Sequence, residues 1–564
     1  MIPLEWMPPL MFAGLVVFMI IGYPVAFSLA AVGFFFGFLS IEMGYFTMAF
    51  MQAIPGRVFG SILSNELLLA IPFFTFMGAI LEKCGLAEDM LESMGQLFGP
   101  VKGGLGYSTI IVGFILGAIT GTVAAQVIAM ALITLPVMMR YKYDMRYATG
   151  VLAASGTITQ LVPPSLVLVV LADQLGRSVG DMYLGAWGPS LLQIAIFAAY
   201  TFYLTLVKPA ALPPVPRTLF GKALLIKSAW GIIPAAVLIF LVLGTIMMGL
   251  ATPTEAGAMG TIGAIVLAVV RNAPLSKFDR VVFGAGCTAA VIGALIGITA
   301  FKSMPFKIAF TIMFAAVAWL CWRAWQFREL RELIVQAFQA TMRITAMVAF
   351  ILVGATCFSI TFAGVDGNTW VEHLMSGLPG GVWGFLIVVN LFIFFLAFFL
   401  DFFEIAFIIL PMLGPVAAKL GIDMVWFGVL LCVNMQTSFM HPPFGFALFY
   451  LRGIADTLFK NGALPRKIES RDIYLGAIPW VGLQLLLVAI VIFFPQTVTV
   501  FLDKKVEVDV DKIKLEMPAD LQGPDSGGIN MDDPFGNKKS GEPDALPMPE
   551  PEAPAPAPGT DSKQ

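Results

Sequence analysis

Charge is scarce in this chain. Only 12% of its 564 residues are Asp, Glu, Lys or Arg, while 59% are hydrophobic and the mean hydropathy is +0.88. A soluble domain carries about 25% charge and about 45–50% apolar residues, so a water-soluble globule of this size is excluded. Histidine is almost missing: His373 and His441 stand alone, too far apart for a helical zinc pair. The chain has no His-Glu-x-x-His and no Walker A loop; near Gly95–Gly104, Lys102 has the wrong spacing and no Ser or Thr after it. Metallopeptidase and ATP-driven chemistry thus lack their reactive groups. The cysteines, Cys84, Cys287, Cys321, Cys357 and Cys432, are odd in number and share no metal or redox spacing. They read as small buried hydrophobes. Met1–Pro9 lacks the basic region of a cleavable signal peptide, so the first apolar run is expected to stay as structure.

Long continuous apolar runs are what the chain does have. A transmembrane helix needs about 20 mainly apolar residues, which allows on the order of a dozen crossings here. A closed β-barrel would instead alternate in hydrophobicity. The expected fold is therefore all-α and integral to a membrane, with a permease region over about residues 1–500. The remainder differs. From Asp503 to Gln564 there are 14 acidic and 7 basic residues, and Glu550–Pro558 is built only of Pro, Glu and Ala. Such a tail cannot bury enough apolar surface to offset its ordering entropy and is expected to be disordered.

Two apolar runs are broken by paired prolines, Pro163-Pro164 and Pro442-Pro443. Each proline removes a backbone donor and clashes with the preceding turn, so a pair demands an unwound stretch. The runs superpose at a constant offset of 279: Asp144-Met145 falls on Asp423-Met424, and the Asp-to-Pro interval is 19 residues in both. Ser155, Thr157 and Thr159 fall on Asn434, Gln436 and Ser438. Upstream of each copy lies another polar interruption, Thr120-Gly121-Thr122 and Asp401-Phe402-Phe403-Glu404, followed by Leu135-Pro136 and Leu410-Pro411. These matches describe an internal repeat, over about 60–207 and about 330–495. Arg140, Lys142 and Arg146 precede the first break, whereas Arg452, Lys460, Arg466, Lys467 and Arg471 follow the second. Because Lys and Arg mark cytoplasmic loops, the copies are expected to be inverted, with the acidic tail outside the cytoplasm.

Unwound backbone at membrane depth is tolerated only where protein buries it or it lines a cavity. Its carbonyls and nearby hydroxyls suit a hard cation such as sodium, and half-helix N-termini favour an anion. Asp401 and Glu404 lie inside an apolar run and are functional candidates by default; Asp401 could ligate a cation or cap a helix, and Glu404 could serve as a first-turn charge. Asp173 and Glu255 lie nearer span ends. His441, directly before Pro442, is a candidate for substrate or proton contact, or else a hydrogen-bonded packing residue.

The run Ala251-Thr252-Pro253-Thr254-Glu255-Ala256-Gly257-Ala258 resembles a signature of the large permease subunit of tripartite ATP-independent periplasmic (TRAP) transporters. Ala154–Ser165, Pro411–Asp423 and Asn434–Gly445 resemble further segments of that family, and the likeness extends from about Met11 to Phe494. Leu400–Pro411 and Gln436–Tyr450 look most like its mannitol/chloroaromatic branch, to which systems for 2-oxo acids belong. The resemblance implies an elevator-type fold with two inverted repeats, each holding a re-entrant hairpin and a broken helix. It implies sodium-coupled import of an organic acid across a bacterial inner membrane. A periplasmic substrate-binding protein would deliver the carboxylate, and a small four-helix permease subunit would pack on the scaffold. No nucleic acid and no cofactor other than sodium are implied. The expected ion-binding residues are Thr120, Gly121, Thr122, Ser155, Gly156, Thr157, Pro163, Asp401, Asn434, Gln436, Thr437, Ser438 and Pro442. The expected substrate contacts are Thr159, Ser165, Glu404 and His441, the last standing where the family more commonly has Thr. Beyond the family pattern lies an apolar stretch at about 281–325, expected as an added helical pair with both feet in the cytoplasm. The other classes weighed are a stand-alone organic-anion transporter, needing no binding protein, and an intramembrane enzyme, for which the reactive constellation is missing.

Overall fold

The computed structural model describes residues 2–217, 220–300, 304–398, 400–441 and 445–502. Pro442, Pro443 and the acidic tail lie outside the described residues. Among those described, ten helices are long and apolar enough to cross a membrane, or up to twelve if each of two bent pairs counts as one span. The chain is thus a helical, multi-pass membrane protein. It opens with α1 (Met7–Ile21) and α2 (Val25–Glu42). A bent segment, Met48–Leu63, then leads into α3 (Ala70–Lys83) and α4 (Leu86–Phe98).

The first repeat holds a hairpin, α5 (Gly104–Thr120) and α6 (Val123–Arg140), turning at Gly121 with a φ of +63°. A left-handed residue costs glycine little, which is why the turn needs no longer loop. The broken helix follows as α7 (Met145–Thr157) and α8 (Leu166–Gln174), and α9 (Val179–Val207) closes the repeat. Next come α10 (Gly221–Met247), α11 (Pro253–Asn272), α12 (Lys277–Ala300) and α13 (Met304–Gln326). The second repeat opens with the 37-residue α14 (Arg328–Gly364) and the short α15 (Gly367–Ser376). It then holds a hairpin, α16 (Gly381–Leu396) and α17 (Phe402–Lys419), followed by α18 (Met424–Ser438), α19 (Phe446–Lys460) and α20 (Ser470–Phe493). The element order of the first repeat therefore recurs in the second. Asp144 and Asp423, matched in sequence, are both N-caps: their Oδ1 atoms accept the amides of Arg146 and Val425, each at 2.9 Å.

The repeats cross-pack. Helix α7 lies on α20 and α18 on α9, while α6 packs on α19 and the start of α17 on α8. The α7–α20 contact is backbone to backbone: a Cβ on Gly476 would stand 2.2 Å from the Arg146 carbonyl, and one on Gly150 would stand 2.3 Å from the Gly476 carbonyl. Small residues supply such close approach where lipid gives helices no hydrophobic drive to associate. Trp480, buried in the same seam, carries Phe197 edge-on at 5.0 Å and Tyr200 at 5.2 Å.

A second group of helices surrounds α14, which at roughly 1.5 Å per residue is longer than a bilayer core. It packs on α2 and α3, and α3 packs on α11. The Thr252–Ala258 motif builds that last contact. Thr252 and Glu255 form a capping box, Pro253 occupies the first turn, and Thr254 donates to the Glu66 carbonyl at 2.7 Å. A Cβ on Gly257 would approach Phe73 Cβ to 2.9 Å. The apolar stretch at about 281–325 forms α12 and α13, packed on each other, with α13 on α11 and α14. Asp279, 1% exposed, joins them: Trp319 Nε1 donates to it at 2.9 Å, the Ser276 amide at 3.0 Å and Arg323 at 3.2 Å. The Trp319 indole and these other donors hold its carboxyl down at about 2. Since the depressed value belongs to the folded state, the stabilisation stands above the unfolded carboxylate range and is lost as pH falls toward that value.

Two outcomes follow from this packing. Gly476→Val should lower the thermal midpoint of the detergent-solubilised protein through overpacking of about 1–3 kcal/mol. Gly482→Val, at an open position on the same helix, should leave it unchanged; equal midpoints for the two variants would contradict the crossed seam.

Candidate functional site

In the first repeat the hairpin and broken helix are joined by Gln126 of α6, fully buried. Its Nε2 donates to the carbonyls of Gly113 at 2.6 Å and Ser155 at 2.9 Å. Its Oε1 receives the hydroxyls of Thr120, at 3.2 Å, and Thr159. Four expected or neighbouring site groups are thereby tied to one amide. Glycine makes the approach possible, because a Cβ on Gly113 would stand 2.7 Å from Ser155 Cβ. The break itself is closed by side chains. Ser165 caps α8 by accepting the Val167 amide at 3.2 Å and donates to the Gln160 carbonyl, which also receives Cys432 Sγ at 3.2 Å. The Leu161 carbonyl receives Ser190 of α9 at 3.3 Å. Gly156 is buried within α7, and Pro163 lies in the unwound stretch between Leu161 and Ser165.

In the second repeat Asp401 and Glu404 form a capping box at the start of α17. Asp401 Oδ1 accepts the Glu404 amide at 3.0 Å, and Glu404 Oε2 accepts the Asp401 amide at 2.9 Å. Glu404 is 8% exposed, and neither carboxylate has a Lys or Arg against it among the described residues. The α17 N-terminus supplies their compensation. Asn434 donates to the Asn390 carbonyl of α16 at 2.8 Å, while Thr437 and Ser438 bond carbonyls of their own helix, Asn434 and Met435, each at 2.6 Å. His441, 5% exposed, is packed by Phe394 at 4.1 Å and Phe398 at 4.9 Å, and both ring nitrogens lack a partner among the described residues. It is therefore not the hydrogen-bonded packing residue that was the alternative to substrate contact.

Each broken helix is also clamped by a glutamine from the other repeat. Gln484 of α20 donates to Thr157 Oγ1 at 2.8 Å, and Gln193 of α9 donates to Gln436 Oε1 at 2.8 Å. Thr157 and Gln436 are equivalent at the offset of 279, and Gln193 and Gln484 each lie eight residues after a Gly-Ala pair, Gly185-Ala186 and Gly476-Ala477. The bonds are thus copies of one another. Gln126, Gln160, Gln193 and Gln484 were not singled out from the sequence. The available signal was a lone amide in an apolar helix, which brings donors and acceptors that demand partners.

Both hairpin tips meet at a cavity of about 330 Å³. Gly121 and Thr122 line it from the first tip, Asp401, Phe402 and Phe403 from the second, and Gln160, Leu166, Phe439, Phe446 and Tyr450 from the broken helices. Ile344 and Met347 of α14 complete the wall. Its volume lies in the range of small-molecule sites, about 300–1,000 Å³. Of the expected site residues, Gly121, Thr122 and Asp401 reach it. Thr159, Ser165, Glu404 and His441 are not in its lining: the first three are engaged in the hydrogen bonds described above, and His441 is held between phenylalanines.

A model of the DctM component of tripartite ATP-independent periplasmic transporters matches residues 12–311 and 287–497. The C4-dicarboxylate TRAP transporter large permease protein of Vibrio cholerae is 26% identical over 86% of this chain and 95% of its own length. The sialic acid TRAP transporter large permease protein of the same organism is 25% identical over 84% and 93%. Among solved structures, the YdaH transporter of Alcanivorax borkumensis aligns with a TM-score of 0.50 and 14% identity, over 80% of this chain and 88% of that one.

Gln126→Leu strands two carbonyls and two hydroxyls together. It should destabilise the solubilised protein by about 1–3 kcal/mol, more than Gln193→Leu or Gln484→Leu, each of which removes one bond worth about 0.6–1.7 kcal/mol inside a membrane protein. Thermal unfolding of the three variants checks this ranking.

Proposed function

Because the chain belongs to the DctM-component family of tripartite ATP-independent periplasmic transporters, we propose that it imports an organic carboxylate together with sodium ions. Its relatives are named as transport permeases for anions. The observation that carries sodium coupling is the pair Asp401 and Glu404, two carboxylates at a hairpin tip with no basic side chain against either among the described residues. A negative charge in apolar surroundings is costly without a counter-charge. An anion entering the cavity beside Asp401 meets repulsion unless a cation enters with it, so each ligand raises the other's affinity.

On this reading the hydroxyls and carbonyls around Thr120–Thr122, Ser155–Thr157, Asn434–Ser438, Pro163 and Pro442 supply the ion ligands, and the carboxylate docks between the tips. The crossed repeats, seamed by glycines and glutamines, form a body that moves as one unit against the helices around α14, which is the elevator movement. A periplasmic binding protein delivers the cargo, a small four-helix subunit packs on the scaffold, and the acidic tail is periplasmic. The cargo is an organic carboxylate, of which the 2-oxo acids of the mannitol/chloroaromatic branch are one class.

In vesicles containing the complete transporter, replacing sodium with potassium should reduce uptake by at least about tenfold, within the usual range of coupling between two ligands. Asp401→Asn should raise the sodium concentration for half-maximal uptake. Uptake indifferent to the cation would refute the coupling.

A further inference from the structure

The cavity between the hairpin tips has one buried side chain that the fold leaves unused. Gln160 is 3% exposed and lines the cavity, yet among the described residues neither its Nε2 nor its Oε1 has a partner. Its backbone carbonyl is engaged twice, by Ser165 and Cys432, so the main chain is pinned while the amide is left over. A buried polar group without a partner costs about 1–3 kcal/mol, and a ligand that supplied one would recover that energy. Next to it Leu166 opens the nine-residue α8, whose N-terminus also borders the cavity. An amide N–H and the start of a helix both favour a carboxylate.

The equivalent position in the second repeat is different in kind. At the offset of 279, Gln160 falls on Phe439, and Phe439 lines the same cavity. Around it stand Phe402, Phe403, Phe446 and Tyr450. The repeats are otherwise so alike that they exchange equivalent glutamine bonds, but at this place one offers an amide and the other an aromatic face. The wall contributed by the second hairpin also carries Asp401, which opposes a second negative charge on the ligand.

Resting on the carboxylate-import reading above, we propose that Gln160 receives the carboxylate head of the cargo and that the Phe439 cluster receives a flat apolar body. The cargo class is then a monocarboxylate with an aromatic or comparably flat apolar group, and short dicarboxylates are disfavoured. Gln160 is in this way a specificity-determining residue of the chain itself, acting after any selection by a delivery protein.

The test uses the purified full chain in detergent with sodium present, and measures calorimetric binding of 3-phenylpropanoate and of succinate. The expected result is at least tenfold tighter binding of 3-phenylpropanoate. Gln160→Met, which keeps the length and removes the amide, should weaken that binding at least tenfold while leaving thermal stabilisation by sodium intact. Phe439→Leu should instead narrow the gap between the two probes. Equal affinity for the probes, binding of neither, or wild-type binding by Gln160→Met in a protein that sodium still stabilises would overturn the assignment alone. Loss of sodium stabilisation in the unaltered chain, with uptake indifferent to the cation, would instead remove the reading beneath it. If Gln160→Met does not fold, Gln160→Glu serves, and its expected result is loss of 3-phenylpropanoate binding through charge repulsion; retained binding overturns the proposal.

Discussion

Within hydrocarbon every backbone N–H and C=O must find a partner inside the protein, and this chain interrupts its helices where water cannot help. The rest of the structure is arranged around covering those interruptions. At the first break the freed carbonyls go to Ser165, Cys432 and Ser190, and Gln126 takes up Ser155 and Gly113. Ser165 belongs to the break itself, but Cys432, Ser190 and Gln126 come from α18, α9 and α6, so the break is held open by tertiary contacts as well as by its own cap. A region stabilised in that way can present backbone to a cavity without collapsing back into a regular helix.

The second constraint is charge. Asp401 and Glu404 lie within the membrane-spanning part of the chain and satisfy each other's backbone in a capping box, which fixes both carboxylates at the helix start. A capping box is an ordinary device at a water surface. Placed at a hairpin tip beside a cavity, it holds two carboxyl groups that no Lys or Arg faces among the described residues. Capping thus sets the geometry of the tip.

Glycine and glutamine divide the work of joining the halves. Gly150 and Gly476 let α7 and α20 touch at their backbones, and once helices are that close a single amide such as Gln484 can cross to Thr157. The same logic explains the Thr252–Ala258 motif. Its Thr and Glu cap α11 and its glycine seats that helix on α3, so the motif is an assembly device for the helices around α14, distant in role from the cavity.

Much of this was legible from residues in a row. Apolar run length determined the helical membrane class, because bilayer thickness sets a minimum span. The prolines and the 279-residue offset determined that a broken element occurs twice, because proline cannot complete a helical turn. Asp144 and Asp423 were visible as a matched pair for the same local reason. Which polar atoms meet was decided only by the fold. Gln126, Gln193 and Gln484 look alike in sequence to any lone glutamine in an apolar helix, and their partners lie 6 to 327 positions away. Thr159, Ser165 and His441 have the right composition for a binding site, yet packing turns the first two to hydrogen bonds within the protein and wedges the third between phenylalanines. Local chemistry is written along the chain. The choice of partner depends on which helix faces which, and that is settled by the packing of the whole bundle.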